Sequence, residues 1–173
     1  AGVVKLARDV VRYRQMLQAL AKREVASMYV GSFLGFFWSF IHPAVMIFVF
    51  WFVFSVGFRA KPLSDVPFVV WLTCGLAPWF LFASILNSTT SVIIQYGHLI
   101  KKTVFPSQIL VVVKILSNMV GHGAFISLVI VLILFNHLPV NVYYLQAFYY
   151  LFCLLVLASG LGWLLSSLNV YAR

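Results

Sequence analysis

Two adjacent lysines, Lys101 and Lys102, stand in a short break between two long apolar runs, within Tyr96-Gly97-His98-Leu99-Ile100-Lys101-Lys102-Thr103-Val104-Phe105-Pro106. Leu99, Ile100, Val104 and Phe105 flank them, and Pro106 stops the element because it has no amide proton to give a helix. A loop that only returned the chain across a bilayer would not need those apolar side chains. Mixed with the lysines they make a small amphipathic surface, suited to docking a partner by burial and charge. Other chemistry is sparse. The only acids are Asp9, Glu24 and Asp65, all outside the apolar runs, so the membrane-depth carboxylate that couples protons or sodium to a carrier is missing. His42 and His122 are the imidazoles within apolar runs, and a neutral ring hydrogen-bonded between helices is a simpler reading of each than a proton relay. No nucleophile–base pair, paired carboxylates or metal-ligand spacing appears, so no catalytic and no metal residue is assigned. No Gly-x-x-x-x-Gly-Lys-Ser/Thr loop is present either. Transport work would therefore draw its energy from a partner.

The elements that hold these residues are membrane helices. The 173-residue chain is 64% hydrophobic and 9% charged, with a mean hydropathy of +1.05. A soluble domain of that size has too much surface to carry so few charges. The net charge of +9 gathers before the first apolar run and in the Lys101–Lys102 break, where anionic lipid and the positive-inside rule account for it, and nucleic acid is not an expected partner. Cys74 and Cys153 are lone thiols inside apolar runs and read as small packing residues. The basic N-terminus has no compact apolar stretch with a small-residue cleavage site, so no signal peptide is expected.

Residues 1–30 carry Lys5, Arg8, Asp9, Arg12, Arg14, Lys22, Arg23 and Glu24, with Val10, Tyr13, Leu17, Leu20 and Val25 on roughly one helical face. This predicts an amphipathic helix in the cytoplasmic interface. Residues 31–173 form the transmembrane part, with spans over about 33–58, 67–94, 108–135 and 144–168 and an intervening element over 97–106. Pro78 is placed to kink the second span. The loop 59–66 and the turn 136–141 fall on one side, and the lysines and arginines strongly favour the other, with the N-terminal segment, Lys101, Lys102 and Arg173, which puts both termini in the cytoplasm. The fold class is thus all-α membrane protein, N-in and C-in.

Polar and small residues repeat at helical spacing on each span: Gly31, Gly35, Ser39 and His42; Ser84, Ser88, Ser91 and Gln95; Lys114, Ser117, Asn118 and Gly121; Ser159, Gly162 and Ser166. Close helix packing explains such faces by default, and a hydrated path is the alternative. Lys114, about two turns into the third span, is expected to snorkel to the headgroups. Aromatic residues crowd the first span, Phe37, Trp38 and Trp51 among them. Lipid packing accounts for them, and so would stacking on the apolar faces of sugars.

Four segments, in order, carry a resemblance to a known family: Arg23-Glu24 through Tyr29-Val30-Gly31-Ser32-Phe33-Leu34-Gly35-Phe36-Phe37-Trp38 with Pro43; Cys74-Gly75-Leu76-Ala77-Pro78-Trp79; Leu99-Ile100-Lys101-Lys102 with Phe105-Pro106; and Leu165-Ser166-Ser167-Leu168-Asn169-Val170-Tyr171-Ala172-Arg173. From about Lys22 onward the chain resembles the membrane subunit of type-2 ABC exporters for lipid-linked polysaccharides, such as O-antigen, capsule and teichoic acid. The resemblance implies a homodimeric permease in the bacterial cytoplasmic membrane, bound to two separate ATPase subunits that hold the ATP and magnesium, with no cofactor on this chain. It implies an interface helix before the first span and a coupling helix at the Lys101–Lys102 break. Such permeases usually have six spans, so four imply a fragment of a longer chain. Where many members have arginine before the tyrosine of the first motif, this chain has Met28, and no headgroup contact is assigned there.

These expectations name two sets of residues. His98, Leu99, Ile100, Lys101, Lys102, Phe105 and Pro106 would contact the ATPase, with Leu99, Ile100 and Phe105 inserting and the lysines steering. Phe37, Trp38, Ser39, His42 and Trp51 would belong to the path of the lipid-linked glycan. The rival readings are a type-2 ABC exporter of small hydrophobic drugs or lipids, and a membrane scaffold subunit that transports nothing.

Overall fold

The computed structural model describes residues 2–29, 35–60, 66–102, 107–139 and 141–172. Helix α1 (Gly2–Arg12) leads into α2 (Arg14–Tyr29). The backbone ladder runs on across the junction, from Tyr13 N–H to the Asp9 carbonyl and from Leu17 N–H to the Tyr13 carbonyl, both at 2.9 Å. The two helices thus form one continuous helical run over residues 2–29. A 3₁₀ turn at Gly35–Phe37 then enters α3 (Trp38–Trp51). Gly35 adopts φ +49°, a left-handed conformation that a side chain would strain.

Among the described residues four helices are long and apolar enough to cross a membrane, where a bilayer leaves backbone groups no partner but each other. The first is α3 with a π-helical continuation, Phe52–Gly57. The second is α4 (Phe68–Thr90), which continues through Pro78, followed by the short α5 (Val92–Gln95) and α6 (Gly97–Lys102). The third, α7, runs Gln108–Phe135, the bounds predicted. The fourth is a 3₁₀ turn, Val142–Leu145, leading into α8 (Gln146–Tyr171). Two of the turns are made by non-glycine residues at positive φ, Arg59 and His137, both at 51°. Beside His137, Leu138 N–H reaches back to the Ile133 carbonyl at 3.2 Å, the left-handed cap that satisfies a helix end.

Helix α4 lies between α7 and α8, while α2 packs along α7 and α3 touches α4 and α7 more lightly. The main core gathers Leu17 of α2, Leu81 and Ile85 of α4, Val92 of α5, Ile109, Leu110, Val111, Val113 and Ile115 of α7, and Ala158 of α8. Of the predicted apolar stripe, Leu17 belongs to this core and Val10, Tyr13 and Leu20 pack against it, while Val25 is not part of it. This stripe packs along α7. A smaller cluster of Ile47, Ala77 and Phe125 joins α3, α4 and α7. Cys74 and Cys153 are exposed, not packed inside as their small size suggested, because the faces that carry them point away from the helix contacts.

The small-residue faces pack where they meet. A Cβ built on Gly162 of α8 would lie 2.9 Å from Thr89 Oγ1 and 3.3 Å from Val111 Cγ1, whereas one built on Gly160 meets nothing within 4 Å. Asn169 of α8 donates to the Thr90 carbonyl at 2.9 Å, tying the end of α8 to the end of α4. Gly162→Ala should thus wedge α4 from α8 and cost about 1–3 kcal/mol. Gly160→Ala, relieved of glycine's backbone entropy, should be neutral or stabilising by up to about 1 kcal/mol. Thermal unfolding of the two variants in detergent compares them, and equal midpoints would mean the α4–α8 contact is slack.

Candidate functional site

The predicted coupling element is helical where it is described, and a polar cluster holds it from behind. Lys114 does not snorkel. Its side chain is 6% exposed and pairs with Glu24 of α2, itself 13% exposed. Lys114 Nζ donates to Glu24 Oε1, and the Tyr96 hydroxyl donates to Glu24 Oε2. The Lys114 ammonium also lies 5.9 Å from the centre of the Tyr96 ring, a cation–π distance. α2 packs along α7, which brings Glu24 alongside the second turn of that helix. The lysine finds its counter-ion within reach of its own stem and has no need to extend to water.

The cluster's electrostatics follow from burial and charge. Burial alone would push the Glu24 carboxyl up, but the hydrogen bonds from Lys114 and Tyr96 and the lysine's charge outweigh it and hold Glu24 below the ordinary carboxylate range. Burial, then the bond to Glu24 and its negative charge, push the Tyr96 phenol up to about 12. At neutral pH Glu24 is therefore a carboxylate and Tyr96 a phenol.

Tyr96 stands at the start of α6, where its carbonyl accepts the Ile100 N–H at 3.1 Å. Both Tyr96 and Ile100 pack against the main core. That placement makes the partly buried Ile100 an anchor for α6. His98 is exposed on the same helix. Lys101 and Lys102 belong to the backbone of α6, but their side chains and that of Leu99 lie outside the described part, as do Phe105 and Pro106 altogether. Leu6 of α1, Ile93 of α5, Ser107 and Gln108 at the head of α7, and Ser166 and Ser167 of α8 line one cavity of about 460 Å³. The basic helices and the coupling element thus share one end of the bundle.

The predicted path residues divide. Trp38, Ser39 and His42 of α3 line a cavity of about 520 Å³ with Ser84 and Asn87 of α4 and with Asn118 and His122 of α7. Met28, near the end of α2, also lines it. Phe37 is 69% exposed and Trp51 lies beside Phe48, ring centres 6.0 Å apart; neither lines the cavity. A hydrogen-bonded ladder forms one wall. Ser84 donates to Asn118 Oδ1, and Asn118 Nδ2 donates to Ser88 Oγ at 2.8 Å and to the Lys114 carbonyl at 2.7 Å. The serine faces predicted on α4 and the Lys114-Ser117-Asn118 face predicted on α7 are the two sides of this contact. Glu24 and Tyr96 were missed. Glu24's only signal in the sequence was numerical: one cation inside the spans and two acids, Asp9 and Glu24, in residues 1–30.

Residues 15–173 match the protein family described as ABC-2 type transporter. Among curated proteins the chain is 32% identical over 130 residues to an O-antigen export system permease protein of Myxococcus xanthus, covering 75% of this chain and 49% of that one. It is 30% identical over 109 residues to a permease of the same description from Klebsiella pneumoniae, covering 62% and 39%. It is 23% identical over 147 residues to a polysialic acid transport protein of Escherichia coli, covering 84% and 57%. The chain spans about half the length of these relatives.

Two outcomes follow from the charge cluster. Lys114→Met leaves Glu24 without its charged partner and should cost about 3 kcal/mol of stability, the lower end of the range for a broken buried pair. Glu24 has a depressed pKa, so its contribution is complete above the ordinary carboxylate range and is lost as pH falls through the depressed value. Thermal midpoints measured from pH 7 down to pH 3 should show an acid-side decline in the wild type that flattens in the double variant Glu24→Gln, Lys114→Met. The same decline in both would place the titrating groups elsewhere.

Proposed function

This chain belongs to the ABC-2 type transporter family and is a multi-pass membrane protein of the bacterial inner membrane; from that premise we propose that it is the permease subunit of an ATP-driven exporter of lipid-linked polysaccharide. The carrying observation is α6: a short amphipathic helix between the second and third spans, at the end of the bundle that bears the basic helices, with Tyr96 and Ile100 anchored inward and His98 turned outward. An ATPase subunit docks on its free face, Leu99 and Phe105 entering a cleft while Lys101 and Lys102 steer the approach. Pro106 ends the docking element. The positive-inside rule puts that end, and both termini of this chain, in the cytoplasm. ATP and magnesium belong to the partner, in two copies on a permease homodimer.

The cavity beside α3 supports a carbohydrate over a small drug. Its walls set hydroxyls, amides and imidazoles among Met28, Pro43, Phe80, Leu81 and Phe125, and Trp38 adds an apolar ring of the kind sugars stack on. On α3, Ser39 is the next residue after Trp38 and His42 stands about one turn beyond it. Phe37 and Trp51 contribute to the path only if it continues along the outer surface of α3, where the rings of Phe48 and Phe52, and of Phe50 and Phe54, stack in succession.

Deleting the full-length gene should trap long glycan on its lipid carrier at the cytoplasmic face, read by labelling surface glycan against total glycan. Normal surface glycan with lost drug efflux would move the substrate to the rival class. Lys101→Glu with Lys102→Glu should lower recovery of the ATPase with tagged permease by about tenfold, since like charge across a docking face penalises encounter; undiminished recovery points the ATPase to another surface. Trp38→Ala should lower glycan export about fivefold through loss of one stacked ring, while Phe37→Ala changes it less than twofold. Equal effects of the two would detach the path from the cavity.

A further inference from the structure

Lys114 is the one Lys, Arg, Asp or Glu within the four spans, and both groups that close around it come from outside them. Glu24 of α2 takes the ammonium on one oxygen and the Tyr96 hydroxyl on the other. Tyr96 opens α6 through its carbonyl bond to Ile100 N–H at 3.1 Å. One carboxylate thus gathers α2, the head of α6 and the second turn of α7. Stability alone is a poor reason for this arrangement, because a buried ion pair is often no better than well-packed apolar side chains. Directional bonds do what apolar packing does not: they fix three elements in one register. They also have two discrete states, made or broken, since a donor that leaves strands a nearly buried carboxylate. Apolar contacts of Tyr96 and Ile100 hold α6 onto the core but would let it slide, and the phenol's hydroxyl is the bond that makes α7 follow.

We propose that Glu24, Tyr96 and Lys114 form a latch that carries a displacement of α6 into α7 and α2. All three are positioning residues: none touches substrate. The proposal rests on reading α6 as the ATPase contact, and adds the route by which a push there reaches the third span. Asn118, one turn beyond Lys114, accepts from Ser84 and donates to both Ser88 and the Lys114 carbonyl, so a shift of α7 reaches the wall of the cavity shared with α4 within one turn.

The test uses the full-length permease, first alone in detergent and then with its ATPase in proteoliposomes. Tyr96→Phe keeps the ring and removes only the hydroxyl. In the permease alone, hydrogen exchange of the amides of residues 97–102 should quicken about tenfold, as expected for one lost charge-assisted bond. In the complex, ATPase recovery and hydrolysis should stay at wild-type rates while glycan delivered per ATP falls at least about fivefold, a typical coupling between sites. Lys114→Arg, which keeps the charged bond to Glu24, should retain the wild-type ratio, and Lys114→Met should not. Unchanged exchange in α6 with Tyr96→Phe overturns the latch, as does a wild-type glycan-to-ATP ratio in that variant or equal ratios for the arginine and methionine variants. Failure to recover any ATPase with the wild type overturns the functional reading, and the transmitting role with it. The exchange measurement on the permease alone still judges the tether by itself.

Discussion

A single charge within four apolar spans sets the terms for this structure. An ammonium at membrane depth is costly unless something neutral or negative meets it, and here what meets it is a carboxylate delivered by a helix that does not cross the membrane. That requirement brings α2 against α7. Once Glu24 is held there, Leu17 and Leu20 have α7 to pack on, and the amphipathic stripe of the interface helix becomes part of the core. Tyr96 completes the shell and so fixes where α6 begins. The start of α6 is therefore tied to the shell around that lysine.

The spans themselves are joined by a different kind of contact. Small residues let α4 and α8 approach closely, with Gly162 against Thr89, and a serine–asparagine ladder joins α4 to α7. Neither device relies on the hydrophobic effect, which has little to act on between helices already in hydrocarbon. Large exposed rings such as Phe48, Trp79 and Phe135 stay on the outer surface, available to lipid or to further polypeptide. The bundle thus adds polar and small-residue contacts to an apolar core and keeps large apolar rings on its outside.

For a transporter, this division has a use. The polar contacts that hold the helices together also line the cavity beside α3, so a change in helix packing and a change in the cavity are one event. The latch at Glu24 stands at one end of the same series of contacts. Coupling then requires no long wire, since α6, Lys114, Asn118 and Ser84 follow one another within a few turns of two helices.

Much of this was legible in the residues. Apolar run lengths set the number of spans and the bounds of α7, and periodicity marked the stripe of Val10, Tyr13, Leu17 and Leu20. The Lys101–Lys102 break announced a helix between spans, and the glycine and serine repeats announced close contacts. These are local properties: they depend on a helix's own period and on the chemistry of the solvent it meets, and both can be read along the chain. The partners of Lys114 could not be read that way. Glu24 lies 90 residues before it and Tyr96 lies 18 before it, and nothing local says that α2 will lie along α7 and not out in the headgroups. The same holds for Ile100, whose packing on the core no local pattern announced, and for Trp38 and Phe37, adjacent in sequence yet divided between a cavity and an open surface. Which residues touch across helices depends on how whole helices rotate and pack, an energy summed over many contacts, and only the tertiary structure decided it.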